Sequence, residues 1–465
     1  MALAHDDDVE DNYFSKNYLF LKAEVASWFD CLRILHSEDL EKREFCNTEI
    51  GGEVTGSRYR WIVFISVLLQ KALLYLKTPM AAVGAALELC LNYPAFNDHL
   101  LFNIFTGRLV KPDRTSPKFT SMVGNIDKRW DLKRHYFGNK AAASISIMAS
   151  KLSYENESFA RNIVTHHWQM EFIGFFQFWN DFQEARSTYA TMFRDKNRIV
   201  IAFRGTEPFD ADAWRTDIDI SWYDFPGAGK IHGGFMKALG LQKSAGWPKH
   251  APPPPKSFAY YTLRERLKTL IHENRDAKFI LTGHSLGGAL AILFVGILAM
   301  HDEEYLLRRL EGVYTFGQPK VGNEQFGEYM NQKLKLYDIK YFRYVYCNDV
   351  VPRLPYDEKA LLFKHFESCL YFNSCYKGQV LEDEADDNYF SLLYVVPKVL
   401  NAVYELIRGF ILPWTKGEEC REGWFMTLFR LTALITPGLT NHFPLDYDNA
   451  TRLQKPGLVQ LTKLN

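Results

Sequence analysis

Apolar and polar positions fall into three blocks along this chain. The first, to about residue 134, holds two long apolar runs, RWIVFISVLLQKALLYLK (60–77) and MAAVGAALELCLNYPAF (80–96). Lys71 and Lys77 interrupt the first run, and Pro79 separates it from the second. A Lys at the centre of a bilayer costs roughly 2.5–3.5 kcal/mol on insertion scales, so neither run reads as a clean membrane span. The pattern predicts two helices lying in or dipping into a lipid–water interface, with buried packing helices as the alternative.

The second block, from about His135 to Cys375, alternates helical and strand-like periods. KAAASISIMASKL (140–152) reads as a helix and IGFFQFW (173–179) as a strand. STYATMFRD, a turn at Lys196-Asn197 and RIVIAFRG read as a hairpin. A helix with Arg264, Glu265, Arg266 and Lys268 on its wet side leads to the apolar strand 279–282, and GVYTFG and KYFRYVYC supply further strands. Strands alternating with helices predict an α/β fold, a mainly parallel central sheet with helices on both faces. The tract Pro252 to Pro255 reads as a stiff surface spacer.

The third block opens on the acidic run LEDEADDN (381–388), read as a solvated loop. YFSLLYVVPKVLNAVYELIRGFILPW (389–414) follows, broken by Lys398, Glu405 and Arg408, and then GWFMTLFRLTALITPGL (423–439). Both predict apolar helices suited to an interface. The expected organisation is an apolar helical N-terminal region over residues 1–134 and a catalytic domain over 135–465. An apolar helical insertion occupies about 376–439 of that domain.

Composition narrows the function classes. The 55 basic and 55 acidic residues cancel, which speaks against a nucleic-acid surface. The seven Cys are scattered without C-x-x-C, as expected of a reducing compartment. The first residues, MALAHDDDVEDNYF, are acidic and lack the basic start and apolar core of a secretory signal, so the expected location is the cytosolic side. There is no H-E-x-x-H and no P-loop; no cofactor and no metal are expected. Nothing in the sequence bears on oligomeric state.

The chemistry concentrates in FILTGHSLGGALAIL (279–293). An apolar strand runs into Gly283-His284-Ser285-Leu286-Gly287, and an apolar helix leaves it. That is G-x-S-x-G between strand and helix, the context of a nucleophile elbow. The turn exposes the Ser285 hydroxyl, Gly283 and Gly287 let strand and helix approach, and the Leu286 N–H points at a developing oxyanion. An ordinary helix-capping serine is the alternative, and strand, turn, helix and both glycines together favour the nucleophile. His284 is too constrained beside the serine to be the base and reads as support for the turn.

A serine needs a base, and in this topology the acid and then the His follow it in the chain. Asp349 sits just past a strand end, where α/β sheets place their sites. Asp302 and Asp357 lie in polar loop or helix-end settings and fit less well. Of the two later histidines, His365 stands among apolar neighbours, whereas His442 stands in the loop-like TPGLTNHFPLDY. His442 is therefore the expected base, with His365 as the outsider. A second oxyanion donor is expected from the loop after RIVIAFRG, at Gly205-Thr206.

FRGT (203–206), HGGF (232–235), TGHSLGGALA (282–291), TFGQPKVGN (315–323), NDVVPRLP (348–355) and HFPLDY (442–447) together resemble the class 3 lipases, the fungal-type triacylglycerol lipases with an α/β-hydrolase fold. The resemblance spans about residues 140–447. It implies Ser285, Asp349 and His442 as catalytic triad and Thr206 with Leu286 as oxyanion hole. It also implies a lid from Glu207 to about Asp219 that carries Trp214. Two features depart from the family pattern. Asn441 stands where an Asp commonly precedes the histidine, and 93 residues separate Asp349 from His442 because the apolar third block is inserted.

That insertion and the apolar N-terminal region look like the plant oil-body lipases. They imply triacylglycerol or another acyl lipid as substrate and a lipid-droplet or membrane surface as partner. The implied location is the droplet surface or the ER membrane, facing the cytosol. A phospholipase A1 or monoacylglycerol lipase would use the same chemistry. A catalytically silent droplet coat protein is the reading from another class, and the presence of Ser, Asp and His together argues against it.

Overall fold

The computed structural model describes residues 15, 17–36, 44–48, 57–126, 138–242, 246–250, 256–355, 363–382, 389–420, 422–455 and 458. The acidic start, the boundary at residue 134, the tract 252–255, Asp357 and positions 383–388 of the acidic run lie outside the described residues.

Two short strands, β1 (Asn17–Leu21) and β2 (Cys46–Thr48), precede a 40-residue helix, α1 (Ser57–Phe96). After helix α2 (Gly138–Leu152) come β3 (Glu171–Asn180), β4 (Ala185–Asp195) and β5 (Arg198–Phe203). Helix α3 (Ala211–Ile218), β6 (Trp222–Phe225), β7 (Gly229–His232) and helix α4 (Ala259–Glu273) follow. Then β8 (Lys278–His284) leads into helix α5 (Leu286–Met300), and β9 (Leu310–Phe316) into α6 (Glu324–Leu336) and β10 (Lys340–Tyr346). Strands β11 (Cys369–Phe372) and β12 (Gly378–Leu381) and helices α7 (Val395–Lys416), α8 (Trp424–Thr432) and α9 (Pro444–Leu453) come last among the elements that bear on the site.

The main sheet has eight strands in the order β12-β11-β10-β9-β8-β5-β4-β3. Its five central strands pair in parallel, and antiparallel hairpins close both edges. The hairpin expected at Lys196-Asn197 joins β4 and β5, with Lys196 at φ 56°. Period-two alternation sorts the residues of β8 onto two faces. Phe279 and Leu281 join the core under α5, with Leu290 and Phe294. Ile280 joins the opposite core with Ala142, Ile147 and Tyr447. Helices therefore cover both faces, as a mainly parallel α/β sheet requires, and β8 aims its C-terminal end at the middle of one edge of the sheet. Among the described residues, which include all seven cysteines, there is no disulfide.

The N-terminal residues build a second sheet, β2-β1-β6-β7, which weaves β1 and β2 onto strands from the middle of the chain. The two expected helices of this region are one: α1 runs unbroken through Pro79 and Pro94. A proline in a helix interior costs about 3 kcal/mol, and here Leu- and Ala-rich turns on both sides and packing against α3 keep the helix intact. Helix α1 is long and apolar enough to cross a membrane, with mean hydropathy 1.4 over its most apolar window. Part of its surface is nonetheless committed inward: Val63, Val67, Gln70 and Lys71 are buried, whereas Trp61, Ile65, Tyr75 and Val83 are exposed.

Two expectations about charge are corrected. Arg264 is not on the wet side of α4: it is buried and donates to the Lys249 carbonyl at 2.8 Å. Lys398, Glu405 and Arg408 are not exposed breaks in an apolar helix either. They form the buried stripe of α7, spaced at helical period, whereas Leu400, Ile407, Phe410, Ile411 and Trp414 face outward. The helix is amphipathic with its charged side turned in. Periodicity locates such a stripe but does not say which side is covered.

Candidate active site

Strand β8 ends at His284, helix α5 begins at Leu286, and Ser285 alone makes the turn, at φ 59° and ψ −134°. A non-glycine residue in this region is strained and persists only where its surroundings hold it. The glycines supply the room: a Cβ on Gly283 would strike the Gly287 backbone, and one on Gly287 would strike the Phe203 carbonyl. Leu286 stands at the first position of α5, where a backbone N–H has no acceptor within the helix.

His442, in a short 3-10 turn before α9, closes onto the serine. Its Nε2 lies 2.7 Å from Ser285 Oγ, and its Nδ1 lies 2.8 Å from Asp349 Oδ2. Asp349 follows the end of β10 and is fully buried; the Tyr447 hydroxyl donates to the same Oδ2 at 2.5 Å, and the Val351 N–H donates to Oδ1 at 2.9 Å. The carboxylate thereby faces the imidazole in one orientation, and the imidazole presents Nε2 to the hydroxyl. Such a relay can remove the serine proton as Oγ attacks an acyl carbon.

His284 supports this arrangement from below. Its Nε2 lies 2.6 Å from the His442 carbonyl oxygen, which can only accept, so Nε2 carries the proton. Nδ1 then accepts from the Tyr154 hydroxyl at 2.9 Å. Burial, and the His442 ring beside it, hold His284 neutral well below the usual histidine range. On the other side, the Thr206 hydroxyl donates to Asp217 Oδ2 at 2.7 Å, which fixes the loop after β5 beside the elbow. Burial pushes Asp217 up to about 7.

The segment 207–219 lies over the site. Glu207 pairs with Arg204 at 3.0 Å, and the Trp214 indole N–H donates to the Pro208 carbonyl at 3.1 Å. Trp214 and Phe209 line a cavity of about 130 Å³ with Thr206, His442, Phe429 and Phe443. Asp219 ends the segment as a buried anchor, bonded by Ser221 Oγ at 2.8 Å and reached by Gln70 at 3.4 Å. Helix α1 holds the segment down: Lys77 pairs with Asp212 at 2.6 Å, and the Ser66 hydroxyl donates to the Ile218 carbonyl at 3.0 Å. The serine beneath is 1% exposed.

The structure brings Ser285, Asp349, His442, Thr206, Leu286 and His284 together at the C-terminal end of β8. Asp302 is exposed beyond the end of α5, and His365 is occupied with the Pro352 carbonyl at 2.7 Å. His232 of the HGGF motif is a buried cap: it contacts the Asp219 carbonyl at 2.6 Å, accepts from the Phe235 N–H, and is pushed by burial down to about 3. Sequence reasoning missed Tyr154, Asp217, Tyr447 and Phe429. Tyr447 was visible inside HFPLDY, five residues past the base, but a phenol carries no sign of the carboxylate it will meet.

The family described as lipase (class 3) matches residues 200–359. Triacylglycerol lipase OBL1 of Arabidopsis thaliana is 38% identical over 96% of this chain and 97% of its own. The protein of that name from Nicotiana tabacum is 39% identical, over 89% of this chain and 86% of its own. Among solved structures, the triacylglyceride lipase of Rhizomucor miehei aligns with a TM-score of 0.39 at 22% identity, covering 55% of this chain and 89% of that one. On the near full-length likeness to the plant proteins, this chain belongs to the class 3 lipase family.

Proposed function

We propose that the protein is a triacylglycerol lipase that works at a lipid-droplet surface, with Ser285 as nucleophile, His442 as general base and acid, and Asp349 as its orienting carboxylate. The observation that carries this reading is the unbroken relay from Asp349 Oδ2 through His442 to Ser285 Oγ, at 2.8 and 2.7 Å. His442 takes the serine proton as Oγ attacks the ester carbonyl, and the oxyanion forms between the Thr206 and Leu286 N–H groups. The alcohol leaves with that proton; water, deprotonated by His442, then releases the fatty acid and frees the serine.

The outward side chains support the surface assignment. A substrate insoluble in water is met at its interface, and α7, α8 and the turn after α8 present Leu400, Ile407, Phe410, Trp414, Leu431 and Ile435 to the outside. Such a face binds a lipid surface by the area it removes from water. The segment 207–219, with Trp214, is the lid, and the N-terminal region to about residue 134 is the part that holds it and adds apolar surface. Association with the ER membrane on its cytosolic side is part of the same reading.

The test compares wild type with Ser285→Ala on emulsified triacylglycerol, phospholipid vesicles and a short soluble ester. The expected result is fatty-acid release by wild type, fastest from the emulsion, and none above background by the variant. Preference for vesicles would move the substrate to phospholipid, and equal inertness of both proteins would leave a coat protein with a silent site.

A further inference from the structure

Five ionisable side chains are buried together beside the site, and the insertion supplies four of them. Glu405 and Arg408 come from α7, Glu422 and Arg430 from the stretch around α8, and Asp446 from α9; all are at most 4% exposed. Arg430 pairs with Glu422 at 2.5 Å and with Asp446 at 2.8 Å. Arg408 reaches the hydroxyls of Tyr346 at 2.7 Å and Tyr376 at 3.0 Å. Three carboxylates meet two guanidinium groups, so every charge in the cluster depends on the placement of its neighbours.

The attachment points lie along the relay. Glu405 Oε2 accepts from the Asn441 amide at 2.6 Å, and Asn441 immediately precedes His442. Glu405 Oε1 accepts from the Tyr346 hydroxyl at 3.0 Å, and Tyr346 ends β10, three residues before Asp349. Asp446 adjoins Tyr447, whose hydroxyl bonds Asp349. One carboxylate from the inserted helix therefore grips the segment that carries the base and the strand that delivers the acid. The opposite side of that helix is its exposed apolar face.

We propose that Glu405 is a positioning residue for His442: by holding Asn441 and Tyr346 at once, it sets the approach of base to acid, and the insertion completes the site as well as facing the lipid. This rests on the triad reading given above. It also accounts for the asparagine at 441. An aspartate there would set a second carboxylate against Glu405, whereas an amide donates to it.

The test is a polarity swap, read on a short soluble ester so that lipid docking does not enter. Asn441→Asp places two carboxylates face to face and is expected to lower kcat about 10–100-fold with KM within about twofold, the scale of one charge-assisted hydrogen bond turned repulsive. Adding Glu405→Gln to it lets the new amide donate to the new carboxylate, and kcat is expected to return to within about threefold of wild type. An N441D kcat equal to wild type, or a folded N441D/E405Q double variant with no recovery, overturns the proposal. Should N441D fail to fold, Asn441→Ala replaces it: a loss in kcat with KM held, in a variant still folded at the assay temperature, supports the proposal, and unchanged kcat overturns it. Ser285→Ala is run alongside. Activity surviving there would break the triad reading itself, a result distinct from failure of the swap.

Discussion

His284 donates from Nε2 to the carbonyl oxygen of His442 at 2.6 Å, so the residue before the nucleophile holds the backbone of the base. Its other nitrogen is occupied by Tyr154. This couples the elbow to a loop 158 residues later in the chain. Replacing His284 by Ala removes a buried hydrogen bond worth about 1–3 kcal/mol once its partner is left unpaired. The expected outcome is a kcat about 10–100-fold lower on a soluble ester, with KM little changed. Steady-state kinetics check it.

Asp349→Asn retains the size of the side chain and loses its charge. The imidazole then no longer finds a partner that fixes its tautomer and stabilises its cation, and kcat is expected to fall by about 10⁴. A mild effect would remove Asp349 from the acid's role.

Asp217 gives a pH signature. Its folded value of about 7 lies above the ordinary 3.8 because burial disfavours the charge. Between those values the folded chain holds a proton that the unfolded chain has released, so stability falls as pH rises from about 4 to about 7 and levels off above. The span is on the order of a few kcal/mol. Asp217→Asn keeps an acceptor for Thr206 and has no proton to lose. Its unfolding midpoint is expected to match wild type near pH 4 and to exceed it by a margin that grows to about pH 7 and stays constant above. Parallel curves for the two proteins would exclude Asp217 as the titrating group.

The outer face of α7 carries a prediction about location. Replacing Leu400, Ile407 and Ile411 by Ser removes three exposed apolar side chains, each worth up to about 1.5–3 kcal/mol if fully buried in lipid. Flotation with triacylglycerol droplets and hydrolysis of the emulsion are expected to fall more than about tenfold. Turnover of a short soluble ester is expected to stay as in wild type.

The parts of this molecule that read directly from sequence are those governed by local rules. Gly283 and Gly287 around Ser285 mark a turn that few other arrangements need, and the run 279–282 between polar flanks marks a strand buried on both faces. The hairpin at Lys196 has its turn chemistry written in four residues. What did not read are features decided by distant partners. Glu405 and Arg408 look like interruptions of an apolar helix until Arg430 and Asp446 close over them. Pro79 looks like a break until α3 packs beneath the helix that contains it. The pairing of β1 with β6 joins Tyr18 to Tyr223 across some two hundred residues, and no periodicity encodes that choice.

The most direct test of the central claim is covalent. An alkylphosphonate p-nitrophenyl ester traps a nucleophilic serine, because Oγ displaces p-nitrophenolate from phosphorus and leaves a stable adduct. Intact-mass and peptide mass spectrometry of wild type, Ser285→Ala and Asp349→Asn would locate it. The account predicts one adduct per chain on Ser285, none in Ser285→Ala, and formation slowed by orders of magnitude in Asp349→Asn. A chain that hydrolyses ester yet carries no adduct on Ser285 would contradict it.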